Sequence, residues 1–167
     1  MTDSMLARPV CPSILVKDME VNGVRVNEIV EIFETLGYEC NVGAELTGES
    51  GARHPFDIVA KKGAEVVVVD LMIFRSSILD TPASDFEIHE QLSKSAIYMR
   101  IKSWDCRPSD RVIVHLSSYL CNDGQELTEH DPVRTFLSEY DIKLISSANM
   151  QQAAKKLESI FCEVEVT

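Results

Sequence analysis

Four valines in a row, Val66 to Val69, stop abruptly at Asp70. β-Branched side chains are stiff and fit a pleated strand better than a helix, and a strand with no polar alternate has no face for solvent. The run therefore predicts a central strand, buried on both faces, in a sheet whose two surfaces must both be covered. The covering layers have to come from amphipathic helices elsewhere in the same chain. At 167 residues and 45% hydrophobic content, the chain is the size of one folding unit with its own core. We expect one domain over residues 1–167, with residues 1–20 as a loosely structured lead-in.

The remaining elements follow from periodicity. Val26, Ile29, Val30, Ile32, Phe33 and Leu36 recur at helical spacing and Gly37 follows as a stop, so Val24 to Leu36 reads as a helix. Tyr38 to Leu46 reads as a strand that bends at Gly43, and Thr47 to Gly51 as a turn. Phe56 to Ala60 and Glu65 to Ile73 flank Lys61-Lys62-Gly63-Ala64 and predict an antiparallel hairpin. Ser76 to Ser84, with Pro82, reads as a loop that ends in a helix cap at Ser84 or Asp85. Phe86 to Ser103 is then helical, Arg111 to Leu116 and Ile142 to Ser146 are strands, and a short helical turn ends at Tyr140. Asn149 to Phe161 closes as a helix. The expected fold class is α/β, a mixed sheet with helices on both faces.

Charge and cysteine usage exclude several function classes. Sixteen basic against 27 acidic residues give a net charge of −11, which opposes tight nonspecific binding to a polyanion. Any contact with DNA must use a local patch, and Lys94, Arg100, Lys102, Arg107 and Arg111 are the best concentration of cations; the same residues also fit a solvated helix face. Tyr98 and Trp104 beside them are base-stacking candidates, although helical aromatics more often pack into a core. Cys11, Cys40, Cys106, Cys121 and Cys162 are widely spaced with no C-x-x-C pair, so they read as reduced thiols and no zinc site is expected, His115 and His130 notwithstanding. No apolar run approaches the roughly 18 residues of a membrane span, and no secretory leader pattern is present. A cytoplasmic protein is expected.

The hairpin brings chemistry into view. Asp57 opens one strand and Asp70 lies thirteen positions later, near the far end of its partner, so antiparallel pairing can carry both carboxylates to one rim of the sheet. Mg²⁺ takes hard oxygen ligands and needs only one or two protein carboxylates, with water and a substrate phosphate completing the shell. An aspartate at a strand end is equally a common turn residue. No phosphate-cradling glycine loop is present. Gly48-Glu49-Ser50-Gly51 lacks the spacing of a nucleophile elbow, so Ser50 with His54 does not read as a hydrolase pair.

The segment from Gly48 through His54-Pro55-Phe56-Asp57 to Val69-Asp70 resembles the core of the restriction-endonuclease-like superfamily, written PD-(D/E)xK. Within it the chain is most similar to type IV restriction enzymes and archaeal relatives. The resemblance implies an αβββαβ core with helices on both faces, Asp57 and Asp70 as metal-binding acids, and Mg²⁺ or Mn²⁺ as the cofactor. It makes Ser50, Arg53, His54 and Gln91 substrate-contacting candidates and Glu28 or Glu31 on the first helix a further acid. Many such relatives work as homodimers. The match departs at Met72, which stands where the family has its lysine. Some relatives supply that lysine from the following helix, and Lys94, three positions after Gln91, is the residue expected to do so. The expected function is accordingly a catalytically impaired nuclease-superfamily domain that binds nucleic acid or protein. The alternatives are an active Mg²⁺-dependent endonuclease using Asp57, Asp70, Lys94 and Glu28, and an α/β protein-interaction domain with no nuclease ancestry.

Overall fold

The computed structural model describes residues 20–21, 24–74, 85–106, 112–121, 127–147 and 149–162. The expected lead-in up to residue 19, the loop 76–84 and the cations Arg107 and Arg111 lie outside the described residues. A two-stranded hairpin, β1 (Glu20–Val21) with β2 (Val24–Arg25), precedes the main body. There follow α1 (Asn27–Thr35), β3 (Glu39–Thr47), β4 (Arg53–Lys62), β5 (Glu65–Phe74), α2 (Asp85–Asp105), β6 (Val112–Cys121), α3 (Pro132–Ser138), β7 (Ile142–Ser147) and α4 (Met150–Cys162). The short helical turn, expected from Thr135 or Phe136 to Tyr140, is a helix shifted toward the N-terminus, Pro132–Ser138. Asp131 caps it by accepting from Val133 N at 2.9 Å, with Pro132 in the first turn.

Helix α1 starts at Asn27 rather than Val24, because Val24–Arg25 pairs with Glu20–Val21; Ile29, Val30 and Phe33 are its buried apolar face, as their spacing predicts. Its end is decided by Gly37, at φ +86, a left-handed position that a side chain would strain. Gly37 N–H donates to Glu34 O and Tyr38 N–H to Phe33 O, a Schellman closure. Tyr38 then packs edge-on against Phe33, ring centroids 5.6 Å apart, so chain reversal and core contact are made together.

Five strands form one sheet in the order β3-β4-β5-β6-β7. Strand β4 runs antiparallel to both β3 and β5, while β5, β6 and β7 run parallel. The valine run therefore lies on the middle strand, where the two kinds of pairing meet. Val66 to Val69 are 5, 0, 0 and 1% exposed, as a strand covered on both faces requires. The β4–β5 link has Lys62 paired with Glu65 across Gly63-Ala64, and Gly63 has φ +59, which fits a two-residue turn of the II′ type.

The two faces have different cores. Ile58, Val67, Val69, Leu71 and Ile145 point toward α1 and α4, where Ile29, Phe33, Ala154 and Leu157 meet them. Met72 and Leu144 point the other way, against Leu92, Ala96 and Met99 of α2 and Val133 and Leu137 of α3. A third cluster, Leu46, Phe56, Val59, Val66, Val68 and Cys106, fills the space under the C-terminal end of α2. This is an α/β fold with helices on both faces of a mixed sheet. Among the described residues no helix is long and apolar enough to cross a membrane.

Candidate functional site

The register of β4 on β5 decides where the acids meet. Ile58 pairs with Val69 and Val59 with Val68, so Asp57 and Asp70 are the next opposed positions. Asp57 Oδ2 accepts the N–H of Leu71 at 2.6 Å, which anchors the side chain to the edge of β5. The in-out alternation of β4 breaks at Asp57: Phe56 and Val59 join one cluster and Ile58 and Ala60 the other. Opposite the break, between the pairs Val42–Ile58 and Ala44–Phe56, stands Gly43 at φ +66. The expected bend at Gly43 is present, and it re-aims the strand at the residue that carries the first carboxylate.

The lysine comes from α2. Lys102 Nζ lies 2.7 Å from Asp70 Oδ1 and donates to Pro55 O at 2.8 Å. Its ammonium also sits 4.5 Å from the ring centroid of Phe56 and 5.3 Å from that of Tyr98. The two charged side chains are 5% and 8% exposed. A pair this deeply buried persists only with good geometry and further hydrogen bonds, here supplied by the Pro55 carbonyl. Burial holds the Asp57 carboxyl above its ordinary range, and the negative charge of Asp70 adds to this; the Leu71 N–H and Lys102 oppose it. The ammonium contacts Asp70 and acts on Asp57 only through its field, and the three groups carry a net charge of −1 when all are ionised.

Lys94, expected at the site, lies instead on solvent and pairs with Glu90 at 2.8 Å. Eight residues of helix separate it from Lys102, about 12 Å along the axis and turned by roughly 80°. Gln91, on the same part of the helix, is exposed. Glu28 is exposed on α1 and lines a groove of about 270 Å³ with Lys155 and Glu158 of α4, and among the described contacts it meets neither aspartate. Met72 is buried against α2 in the core. The signal for Lys102 was legible: Leu92, Ala96, Met99, Ser103 and Cys106 mark the inward stripe of α2, and Lys102 is the cation beside it.

Three of the residues expected to contact substrate have other partners. Asp105, at the end of α2, accepts from Ser50 N at 2.9 Å and Ser50 Oγ at 2.7 Å, and its Oδ2 lies 2.6 Å from His54 Nε2. Its backbone carbonyl accepts from Glu49 N at 2.8 Å. Hydrogen bonds from the Ser50 hydroxyl and from His54 hold this carboxyl below its ordinary range. Ser50 and His54 converge on one carboxylate oxygen rather than on each other, so the serine has no base. They tie the β3–β4 turn to α2 three residues beyond Lys102, and so help to position that lysine. Arg53 is exposed and pairs with Glu45 at 3.1 Å. Arg100 is stacked on Tyr140, 3.4 Å from its ring centroid, and bonds to the Tyr140 hydroxyl.

Among the described residues no group of three or more His, Cys, Asp or Glu side chains is arranged to hold a metal. The acids of the site number two, and the third charged group is a lysine. The donors are hard oxygens short of counter-charge, which fits Mg²⁺ or Mn²⁺ and not a soft metal.

No family model matches the chain, and no curated protein matches it. Solved structures that resemble the chain weakly include three. One is a protein of unknown function, AF1548, at 14% identity over 71% of this chain and TM-score 0.45; this chain spans 54% of its length. The second is an XisH family protein from Nostoc punctiforme, at 15% identity over 75% of this chain and 91% of that one, TM-score 0.47. The third, VC1899 from Vibrio cholerae, has 10% identity over 82% of this chain and 32% of that one, TM-score 0.45. Likeness at this level carries no argument about function.

Proposed function

We propose that the chain is a restriction-endonuclease-like domain that hydrolyses a phosphodiester bond in nucleic acid with Mg²⁺ or Mn²⁺, using Asp57, Asp70 and Lys102. The observation that carries this reading is the contact of Lys102 Nζ with Asp70 Oδ1 at 2.7 Å. Met72 in the place of the motif lysine and the acidic surface both argue for an impaired site; a buried lysine on the second acid answers the first of these. The motif resemblance and the element order from α1 to β6 support it.

In this reading Asp57 and Asp70 hold the ion, which when bound supplies a Lewis acid and a nucleophilic water at neutral pH. The Leu71 N–H fixes the Asp57 carboxylate, leaving its second oxygen for coordination. Asp70 and the Pro55 carbonyl orient the Lys102 ammonium, which faces charge developing on the phosphoryl oxygens. Burial strengthens that interaction because the surrounding apolar side chains exclude water.

A second reading, a binding module without turnover, is favoured by the same contact seen differently: Lys102 already neutralises Asp70 and stands in place of a cation. Calorimetric titration with Mn²⁺ and cleavage of labelled single-stranded, duplex and branched DNA, and of RNA, separate the two. The nuclease reading expects metal binding that Asp57→Ala removes. It also expects cleavage that Lys102→Ala abolishes and Lys94→Ala leaves unchanged. Metal heats absent at millimolar Mn²⁺, or turnover indifferent to Lys102→Ala, would sink it; strand binding without turnover would install the second.

A further inference from the structure

Resting on the phosphodiesterase reading of Asp57, Asp70 and Lys102, we infer that the substrate is an unpaired nucleic-acid strand and that Tyr98 stacks on the base next to the bond being cut. Tyr98 lies one helical turn before Lys102 on α2. Its ring centroid is 5.3 Å from Lys102 Nζ, which in turn touches Asp70. Tyr98 is 53% exposed, and Ile97 and Ile101 beside it are each 52% exposed. Phe56, the other ring near the ammonium, is 2% exposed and belongs to the core. The two rings therefore have different surroundings: one packs, the other offers a face to a ligand.

One sugar separates a nucleotide's base from its phosphate, and the path from Asp70 through Lys102 to the Tyr98 ring is of similar reach. A phosphate at the acids therefore delivers a neighbouring base to Tyr98. Paired bases in a duplex have their faces covered by their own neighbours, so only an unpaired strand can use such a platform.

The charges around the site favour the same substrate. The chain carries −11 overall. Of the described cations of α2, Lys94 pairs with Glu90, Arg100 stacks on Tyr140, and Lys102 is buried on Asp70. A duplex held through many phosphate contacts needs a stripe of exposed cations. A stacked base adds affinity that does not come from exposed cations, and every base has a face to offer.

The test uses the full chain and labelled oligonucleotides of one sequence: single-stranded DNA, single-stranded RNA and duplex DNA. Millimolar Ca²⁺ is present to support binding. The expected result is tighter binding of the single strands than of the duplex, and the DNA and RNA arms show which sugar is preferred. Tyr98→Ala weakens single-strand binding roughly tenfold, the scale of one stacked base, Tyr98→Trp restores it, and Tyr98→Leu does not. Duplex bound as tightly as single strand, or Tyr98→Ala binding like the unaltered chain, overturns the proposal. Leucine serving as well as tryptophan also overturns it and makes this an apolar protein-docking face. Cleavage in Mn²⁺ that needs Asp57 but is indifferent to Tyr98 discards the stacking and spares the site. Stacking that survives with no cleavage in any metal discards the phosphodiesterase reading instead.

Discussion

Lys102 on α2 and Asp70 on β5 are 32 positions apart in sequence and 2.7 Å apart in space, both almost wholly buried. A lone charge at either place would face a large desolvation penalty, so each residue depends on the other. Lys102→Met should lower stability by about 3 kcal/mol, because it strands the Asp70 carboxylate in the interior. The double variant Asp70→Asn with Lys102→Met should recover much of that loss. Urea denaturation of the four species checks this, and strictly additive losses would show that the two side chains are not coupled.

The turn at Gly48 is closed by contact with Asp105. A Cβ built at Gly48 would stand 2.0 Å from Asp105 Oδ2 and 2.4 Å from its Cγ. The carboxylate cannot swing aside without releasing Ser50 and His54. Gly48→Ala should therefore destabilise the fold by about 2 kcal/mol, in the range of other overpacked sites. In an Asp105→Ala background the added methyl should be nearly silent. A penalty that persists there would place the cause in the backbone of the turn.

Asp105 also sets an acid limb. Its carboxyl is held below the ordinary value of 3.8 by the Ser50 hydroxyl first and by His54. A group whose folded pKa is depressed contributes stability that is present above its unfolded pKa and is lost as pH falls through the folded value. The stability advantage of the unaltered chain over Asp105→Asn should be full above about pH 4 and shrink below it. An advantage independent of pH across that range would mean that the carboxylate charge contributes nothing to the knot.

Cys40 should be a slow thiol. Burial pushes it up from 9.0 to about 11, and the charge of Glu34 adds to the effect. Two pH units mean roughly a hundredfold less thiolate at any pH below both values. Alkylation of the folded chain with iodoacetamide, followed by peptide mass spectrometry, should label Cys40 far more slowly than in urea, and Glu34→Gln should speed it. Equal rates folded and unfolded would contradict the burial of this sulfur.

Much of the fold was legible because each element carries its own periodicity. The valine run required a strand covered on both faces, the i, i+3, i+4 spacing of α1 required a helix, and Gly63 required a tight hairpin turn. The hairpin register carried Asp57 and Asp70 toward each other, and the break in β4 opposite Gly43 aims the first of them. The lysine was legible only in part. The stripe Leu92, Ala96, Met99 puts Lys102 nearer the inward face of α2 than Lys94, but no spacing along the chain says that this face lies over Asp70. The partner of Ser50 and His54 was not legible for a related reason. Their polar groups suit a ligand or a carboxylate equally, and the carboxylate that holds them lies more than fifty positions away, on another element.

The amino-acid sequence alone determined the α/β class, the central strand and the β4–β5 hairpin that carries the two aspartates, since helical and strand periods and hairpin turns are local properties. Only the tertiary structure decided which cation reaches Asp70 and what Asp105 holds. Those contacts depend on how α2 is rotated and seated over β4 and β5, and that is settled by the packing of Leu92, Ala96, Met99 and Cys106 rather than by any spacing along the chain.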